Sequence, residues 1–499
     1  MPNILLITSD QQHFSNLGFL NPKIQTPNLD RLARQGTHFS RAYCPNPTCT
    51  PTRSSIITGQ YPSLHGAWTL GTTLREDTPT LGDELGKAGF YTALVGKAHF
   101  QALADTPEHP SIESQPRLRD LDFWRGWNGP WYGFEHVETA RMHADESHVG
   151  GHYGVWMEEQ GLSNWSDFFQ NSPPDAEHPP RHGAWDLPAQ FHYSTWTAER
   201  TIAQFDQTGE RPFFVWSSFH DPHPPYLVPE PWASMYDPAD MELGSLSEGE
   251  LELLPPHFAL TQAEKPDFSA YTESGYGTHG MHSHLVDRER AKRDLAIYYG
   301  MTSFMDAQIG RILDALDERG FSEDTLIVFS TDHGHFMGQH GLWAKGPFHF
   351  EDEIRVPFLV SWPGQVPASR ESGALQSLVD LAPTFLAAAN VDVPGRMQGR
   401  NQLEVWRGES ESARDEAIVE FHHEPTTIHL RTLVTKRWKM TVYRDQSYGE
   451  LFDLETDPHE RRNLWDNAEF ASVKAGLFQQ WVNAELQREP MEMPRISHS

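Results

Sequence analysis

Short apolar runs bounded by turn residues recur along most of the chain. The segment Asn3 to Thr8 is continuous and apolar, which is typical of a strand buried on both faces. Comparable runs predict further strands at Tyr91 to Val95, Pro212 to Phe219, Thr325 to Thr331 and Pro357 to Trp362. Helix patterns separate these runs, so we expect an α/β fold with a large mixed, mostly parallel sheet sandwiched by helices.

Helix boundaries are marked by turn and capping residues. Thr26 and Pro27 predict an N-cap and a first helical position, and Gly36 follows as the stop signal. The same punctuation recurs from Thr78 to Gly89. A longer helix is predicted from about Arg290 to Arg319, directly before one of the predicted strands.

The pattern changes after about residue 410. Four closely spaced strand candidates follow, at Ala417 to Phe421, Thr432 to Lys436, Lys439 to Tyr443 and Glu450 to Leu454, before a helix from about Ala468 to Leu486. We therefore predict two units. Residues 1–410 would form the large α/β domain, and residues 411–499 a smaller subdomain with an antiparallel sheet, a helix and a tail.

Two long segments show no clear period, residues 101–190 and residues 228–287. Segments of this length without regular elements are usually functional insertions, so we expect both to wall an active site. The first is rich in aromatic residues. Its members Trp124, Trp127, Trp131 and Tyr132 could equally line a site for an aromatic group or pack against the main domain.

Composition limits the kinds of partner. The chain has 69 acidic and 39 basic residues, and its formal charge is −30. A field of that sign repels polyphosphate chains, so we expect no nucleic-acid partner. A small anionic substrate would need a local cluster of cations to overcome the overall charge.

The chain shows no targeting or membrane signal. Its N-terminal sequence, MPNILLITSDQQ, lacks the basic start, the apolar stretch and the cleavage site of a secretory signal. No run approaches the roughly 18 apolar residues that span a bilayer. Cys44 and Cys49 are the only cysteines, which excludes a disulfide framework. We expect a cytoplasmic protein with no membrane partner.

Polar and charged side chains follow the predicted strands, where open parallel sheets collect their ligands. Asp10, Gln11, Asp332 and His333 would supply oxygen and nitrogen ligands for a hard divalent ion. The local cations would be Arg53, Lys97 and Lys345. His99 and His220 can titrate near neutral pH and suit acid–base work. Each residue alone is a weak signal, and their joint position at one sheet edge makes the prediction.

Cys49 begins the segment Cys-Thr-Pro-Thr-Arg, which precedes a short helix predicted to begin near Arg53. Helix starts favour anions. The segment CTPTRSSIITGQYPSLHG resembles the core motif of the sulfatase family, a branch of the alkaline-phosphatase superfamily. Further segments match that family in order: Asp10-Gln11, VGKAHF, SSFHDPHPPY, STDHGHFMGQHGLWAKG, MQGRNQL and ELFDLETDPHE. The resemblance spans essentially the whole chain.

The resemblance implies a modified nucleophile. In sulfatases the motif cysteine is oxidised to Cα-formylglycine by a maturation enzyme, and Cys49 is the matching position. The hydrated aldehyde would complete the sphere of one divalent metal ion held by four side chains, Asp10, Gln11, Asp332 and His333. Calcium is the usual ion of the family, and manganese or magnesium would also fit. Many relatives carry Asp or Asn where this chain has Gln11 and His333.

The resemblance also implies a mechanism through a covalent sulfated enzyme. A diol oxygen at residue 49 would attack sulfur in line, Arg53 would hold the diol, and Lys97 and Lys345 would stabilise the sulfate oxygens. His220, with Lys345, would protonate the departing alcohol or phenol. His99 would take the proton of the second hydroxyl, so that sulfate leaves and the aldehyde is restored.

Two other readings stay open. A phosphonate monoester or phosphodiester hydrolase on the same scaffold would make similar demands, but such relatives tend to lack the basic residues found here at Lys97 and His99. A metal-binding protein without catalytic activity is the third reading. The substrate, an aryl, alkyl or sugar sulfate, is not specified by the sequence. The tail from Glu489 to Ser499 could reach a second subunit of a homo-oligomer.

Overall fold

The computed structural model describes residues 1–141, 143, 148–169, 182–423, 428–490, 493 and 495–498. Its main sheet has eight strands. They are β1 (Asn3–Ser9), β2 (Thr37–Phe39), β3 (Tyr91–Gly96), β4 (His136–Thr139), β5 (Phe213–Ser218), β6 (Thr325–Thr331), β7 (Leu359–Ser361) and β8 (Arg370–Ser372). The predicted α/β class, with a large, mostly parallel sheet, is confirmed.

The strand order across the sheet is β8-β2-β7-β6-β1-β5-β3-β4. The five strands from β6 to β4 are mutually parallel, with Leu5 of β1 opposite Ile327 of β6 and Val215 of β5. Strand β7 runs antiparallel to both of its neighbours. The carboxyl ends of the five parallel strands therefore meet at one edge of the sheet.

Helices pack on both faces of this sheet, on a smaller C-terminal sheet and in the segments between the strands. They are α1 (Pro27–Gln35), α2 (Cys49–Thr58), α3 (Pro62–His65), α4 (Leu81–Lys87), α5 (Leu121–Gly126), α6 (Gly151–Glu159), α7 (Tyr193–Phe205), α8 (Pro256–Thr261), α9 (Arg288–Glu318), α10 (Glu351–Ile354), α11 (Leu381–Ala388), α12 (Leu403–Trp406) and α13 (Ala471–Gln487). Alternate residues of β1 enter two cores. Ile4 and Leu6 pack with α2, α4 and α11, while Leu5 and Ile7 pack with α1, α7 and α9.

Four antiparallel strands form the C-terminal sheet, β9 (Glu416–His422), β10 (His429–Thr435), β11 (Trp438–Tyr443) and β12 (Gly449–Asp453). Helix α13 packs Leu477 and Trp481 against Ile418, Leu433 and Met440 of this sheet. The predicted antiparallel sheet with one helix is confirmed. The domain boundary at residue 410 stays a prediction.

Several two-residue strands complete the fold: Ala42–Tyr43, Gly183–Ala184, Leu227–Val228, Thr272–Glu273, Tyr276–Gly277, Phe336–Met337, Trp343–Ala344, Arg355–Val356 and Gln376–Ser377. None of the helices in the described part of the chain combines the length and apolar composition that crossing a bilayer requires.

Three local predictions need correction. Helix α2 begins at Cys49, four residues before the predicted start near Arg53. Helix α4 is capped by Thr80, because the Thr80 side chain accepts from the Asp83 N–H and the Asp83 carboxylate accepts from the Thr80 N–H. The segment from residue 101 to 190 was expected to lack regular elements, but its residues His136–Thr139 form the edge strand β4.

Candidate active site

The strand ends bring the predicted residues together. Asp10 directly follows β1, Lys97 follows β3 and Asp332 follows β6. These strands share one parallel sheet, so the three side chains emerge at the same edge. The Lys97 ammonium pairs with the Asp10 carboxylate, and all three side chains are buried. The predicted residues Asp10, Lys97 and Asp332 thus lie together, and their roles stay a prediction.

Cys49 lies in the first turn of α2 and points into the same pocket. Its Sγ is 3.3 Å from His333 Nε2, 3.4 Å from Lys345 Nζ and 3.8 Å from Asp10 Oδ1. Every residue of α2 is buried. The helix N-terminus adds positive potential where a nucleophile at residue 49 would carry negative charge.

The site has the donor atoms of a divalent-ion site. Ligand atoms of Asp10, Cys49, Asp332 and His333 all lie within 4.8 Å of one another. Gln11 Nε2 donates to His335 Nδ1 at 2.8 Å, and its Oε1 is buried without a hydrogen-bond partner among the described residues. A buried amide oxygen without a hydrogen-bond partner, in the residue next to Asp10, is a suitable ligand for a hard cation.

The His333 ring is oriented for the same purpose. Its Nδ1 lies 3.0 Å from the Gly334 carbonyl oxygen and donates to it, which leaves the Nε2 lone pair facing Cys49. Burial lowers the pKa of His333 to about 4. A neutral imidazole with a free Nε2 is the form that binds a metal ion.

Arg53 contacts the carboxylates of both Asp10 and Asp332. Its Nε donates to Asp332 Oδ2 at 2.9 Å, and its Nη2 lies 3.5 Å from Asp10 Oδ2. Burial opposes ionisation of Asp10, but the positive charge of Lys97 holds the pKa of its carboxyl well below the ordinary value. Burial and the Asp10 charge raise the pKa of Asp332, but the charge of Arg53 brings it below its ordinary value. Both carboxylates are therefore ionised, as ligands of a cation must be.

Lys345 contacts His223, a residue that the sequence argument left outside the catalytic set. Lys345 Nζ donates to His223 Nε2 at 2.9 Å, and His223 Nδ1 contacts the Pro224 carbonyl oxygen. The predicted acid, His220, is buried with its Nε2 2.9 Å from the Ala140 carbonyl oxygen. The structure thus brings His223, rather than His220, to the lysine that faces Cys49.

Two residues that sequence reasoning missed lie in the segment after β4. His143 Nε2 accepts from Lys97 Nζ at 2.7 Å, and its ring stacks on that of His223 at 3.5 Å. Arg141 Nη2 lies 2.6 Å from His99 Nε2. Recognising His136–Thr139 as a strand would have placed both residues at the carboxyl edge of the sheet. That strand is short and has polar residues at both ends, so it shows no apolar run in the sequence.

The aromatic residues from 124 to 132 pack against one another and against the main domain. Trp124, Trp131 and Tyr132 are buried, and Trp127 packs against them. Trp131 and Tyr132 belong to the core that includes Phe100 and Trp216. Of the two readings of these residues, packing against the main domain is the one that the structure supports.

Comparison with known proteins finds matches along nearly the whole chain. The family model described as Sulfatase matches residues 2–391, and a model of the C-terminal region of N-sulphoglucosamine sulphohydrolase matches residues 338–488. The chain is 28% identical to an arylsulfatase of Clostridium perfringens (strain 13 / Type A), with 94% of this chain and 91% of that protein covered.

Two further similar proteins have names that describe different reactions. The chain is 26% identical to a choline-sulfatase of Rhizobium meliloti (strain 1021), covering 93% of this chain and 83% of the relative. Among solved structures, it resembles the phosphonate monoester hydrolase of Agrobacterium radiobacter with a TM-score of 0.78 and 25% identity. That match covers 99% of this chain and 97% of the other.

Proposed function

The chain belongs to the sulfatase family, and we propose that it hydrolyses a sulfate monoester with a nucleophile derived from Cys49. One observation carries the proposal. Cys49 Sγ sits at a buried helix start, 3.4 Å from Lys345 Nζ and 3.3 Å from the nitrogen of a candidate metal ligand, His333. A nucleophile, cations for an anionic ester and metal donors thus share one pocket.

The nucleophile is proposed to be Cα-formylglycine, made from Cys49 by a maturation enzyme. Asp10, Gln11, Asp332 and His333, with an oxygen of residue 49, would hold one divalent ion. That ion would supply positive charge for ionising the nucleophile and for the sulfate oxygens. Calcium is our first choice. Manganese and magnesium remain alternatives, since both take carboxylate and carbonyl oxygen ligands.

The positive side chains have separate tasks. Lys97 and Lys345 are each held by a histidine, and the two histidine rings stack on each other. Both lysines would stabilise charge on the transferring sulfuryl group. Arg53 donates to Ser218 and to the Lys97 carbonyl oxygen. Its side chain would therefore stay in place and keep the surroundings of residue 49 fixed. These cations offset the overall negative charge of the chain locally.

For the leaving group we propose Lys345 as the proton donor, with His223 as its partner. When the sulfur–oxygen bond breaks, the alcohol or phenol oxygen takes a proton from the Lys345 ammonium. His223 Nε2 accepts a hydrogen bond from Lys345, whereas His220 is directed to a backbone carbonyl. The role expected for His220 in the sequence therefore passes to His223 in this proposal.

A series of aryl sulfates with leaving groups of different acidity tests this assignment. Lys345→Ala and His223→Gln should slow the esters of weakly acidic phenols most, because good leaving groups need no proton. His220→Gln is the matched comparison and should show no such dependence. Equal losses across the series in Lys345→Ala would remove the proton-donor role.

The nucleophile is tested by mass. Conversion of cysteine to formylglycine lowers the mass of the peptide that contains residue 49 by about 18 Da, a change tied to the covalent mechanism. Protein made together with a maturation enzyme should carry this change and be active, while unconverted protein should be inactive. Full activity with an intact thiol would contradict the proposal.

A phosphonate monoester or phosphodiester hydrolase is the second candidate, favoured by the structural likeness to the phosphonate monoester hydrolase of Agrobacterium radiobacter. Lys97 and His99 favour the sulfate ester. Rates on an aryl sulfate and on an aryl phosphonate with the same phenol decide between the two. We expect the sulfate to react faster, with slower turnover of phosphorus esters.

Three predictions complete the proposal. We propose a cytoplasmic location, a domain boundary near residue 410, and the absence of a nucleic-acid or membrane partner. A homo-oligomer through the tail stays a prediction, since residues 491, 492, 494 and 499 lie outside the described part of the chain.

A further inference from the structure

The segment after β4 runs beside the segment after β3. Ala140 N donates to the Gly96 carbonyl oxygen, so the pairing of the two strands extends past their ends. Two side chains of this segment reach side chains of the other: Arg141 contacts His99, and His143 contacts Lys97. Neither the motifs nor the family resemblance assigned a role to Arg141.

The contact between Arg141 and His99 determines where the imidazole carries its proton. A guanidinium only donates hydrogen bonds, so His99 Nε2, at 2.6 Å from Arg141 Nη2, must accept. A neutral His99 then carries its hydrogen on Nδ1. That Nδ1 atom is buried and has no hydrogen-bond partner among the described residues. The Nδ1 N–H of the ring is therefore available to donate a further hydrogen bond.

The backbone at His99 is held in place by one carboxylate. His99 has a φ of 57°, in the left-handed region that residues with a side chain seldom adopt. Glu113 accepts the N–H groups of His99, Phe100 and Gln101 at 2.7–2.8 Å. The same carboxylate forms an ion pair with Arg141 Nε at 3.9 Å. Glu113 thus fixes both partners of the contact.

The surrounding charges keep the imidazole neutral. Burial and the Arg141 charge, followed by Lys97 and Arg53, lower the pKa of His99 well below its ordinary value, against an opposing effect of Asp10. His99 is 6% exposed and Arg141 is 5% exposed, so solvent does little to screen these charges.

We propose that Arg141 is a positioning residue, which holds His99 as a neutral imidazole with its hydrogen on Nδ1, so that His99 is a hydrogen-bond donor to the reacting group. This inference rests on the proposed function. It changes the expected role of His99 from proton acceptor to hydrogen-bond donor, because Arg141 occupies the only lone pair of the ring. The proton of the second hydroxyl at residue 49 would then go to Lys345, whose amine is neutral once the alcohol has taken its proton and whose Nζ lies 3.4 Å from Cys49 Sγ.

Nitrogen NMR of the full chain labelled with ¹⁵N-histidine tests the tautomer directly, with His99→Gln to assign the signals. Wild type and Arg141→Lys should show hydrogen on Nδ1 of His99 and no titration near neutral pH. In Arg141→Gln the pKa of His99 should rise by about one unit or more, because an adjacent charge is gone. Hydrogen on Nε2 in wild type, or an unchanged pKa in Arg141→Gln, would overturn the proposal.

This readout needs neither turnover nor a converted residue 49, so its failure is separate from failure of the proposed function. In converted enzyme, Arg141→Gln should lower kcat by about 10- to 100-fold with little change in KM, the usual cost of losing a residue that orients a site. Arg141→Lys should recover most of that loss. Arg117→Gln, an exposed arginine of the same insertion paired with Asp120, is the control and should match wild type. Loss of activity in Arg141→Lys equal to that in Arg141→Gln would contradict the proposal.

Discussion

Two fully buried lysines in this protein each pair with a carboxylate, yet their surroundings differ. Lys439, in β11, pairs with Glu460, donates to the His349 carbonyl oxygen at 2.6 Å and lies 5.8 Å from the ring centre of Phe350. Lys97 pairs with Asp10 and donates to His143. Both pairs bear the cost of removing charges from water.

The difference lies in what else touches each carboxylate. Glu460 accepts the backbone N–H of Glu351, so this pair connects the C-terminal sheet with the start of α10. Asp10 instead faces Arg53 and Cys49, and an unsatisfied amide oxygen follows it at Gln11. A buried lysine–carboxylate pair is therefore not a functional signal in itself. A candidate nucleophile and a second cation beside the same carboxylate make it one.

Removing the nucleophile should have the largest effect. Cys49→Ala should lower turnover by at least about 10⁴-fold, because the covalent route is lost, while thermal unfolding stays close to that of wild type. Cys44→Ala is the matched control, since Cys44 is the other buried cysteine and lies outside the donor cluster. Comparable activity in the two variants would refute the role of Cys49.

Removing divalent ions should lower turnover and stability through the site that contains Lys97. Chelation should lower turnover by at least about 100-fold, because several kcal/mol of charge stabilisation disappear. It should also lower the melting temperature, since an ion at 100 times its Kd stabilises the fold by about 2.7 kcal/mol. Asp332→Asn should melt at a temperature that no longer depends on the added ion. An equal response of this variant and wild type would argue against the proposed ligands.

Exchanging each lysine for methionine tests the comparison itself. Lys97→Met should lower kcat by about 10²–10³-fold, by loss of charge near the sulfate oxygens. Lys439→Met should leave kcat per folded molecule unchanged and lower the free energy of unfolding by about 3–5 kcal/mol, because Glu460 stays buried without its partner. Urea unfolding and active-site titration measure both quantities. A catalytic loss in Lys439→Met would erase the distinction.

The smallest expected effect is a pH dependence of the free energy of unfolding, which arises near the Lys439–Glu460 pair. Glu450 is buried in β12 and accepts a hydrogen bond from the Tyr443 hydroxyl, and burial raises its pKa to about 7. A raised pKa contributes stability that is complete below pH 4.5 and is lost as pH rises through about 7. Glu450→Gln should remove this loss, which amounts to about 3 kcal/mol.

Urea unfolding at pH 5 and pH 8 measures that dependence. Exposed Glu455, exchanged for Gln, is the control and should follow the wild-type curve. If Glu450→Gln and wild type lose the same stability between these pH values, Glu450 is ionised in the fold and the prediction is wrong.

The sequence by itself determined the α/β class and most strand positions, and it named the candidate residues of the site. Asp10 and Asp332 could be predicted to meet because each directly follows an apolar run, and parallel strands end at one edge. The Cys-Thr-Pro-Thr-Arg segment identified Cys49 and Arg53. Such local patterns specify both the element and the position of the residue that follows it.

Only the tertiary structure decided the finer assignments. His220 and His223 are three residues apart in one loop, and nothing in their local pattern tells which ring reaches Lys345. Arg141 and His143 gain their places from β4, an edge strand without a long apolar run. These choices depend on contacts between residues far apart in the chain, and backbone periodicity carries no information about which side chains such contacts will join.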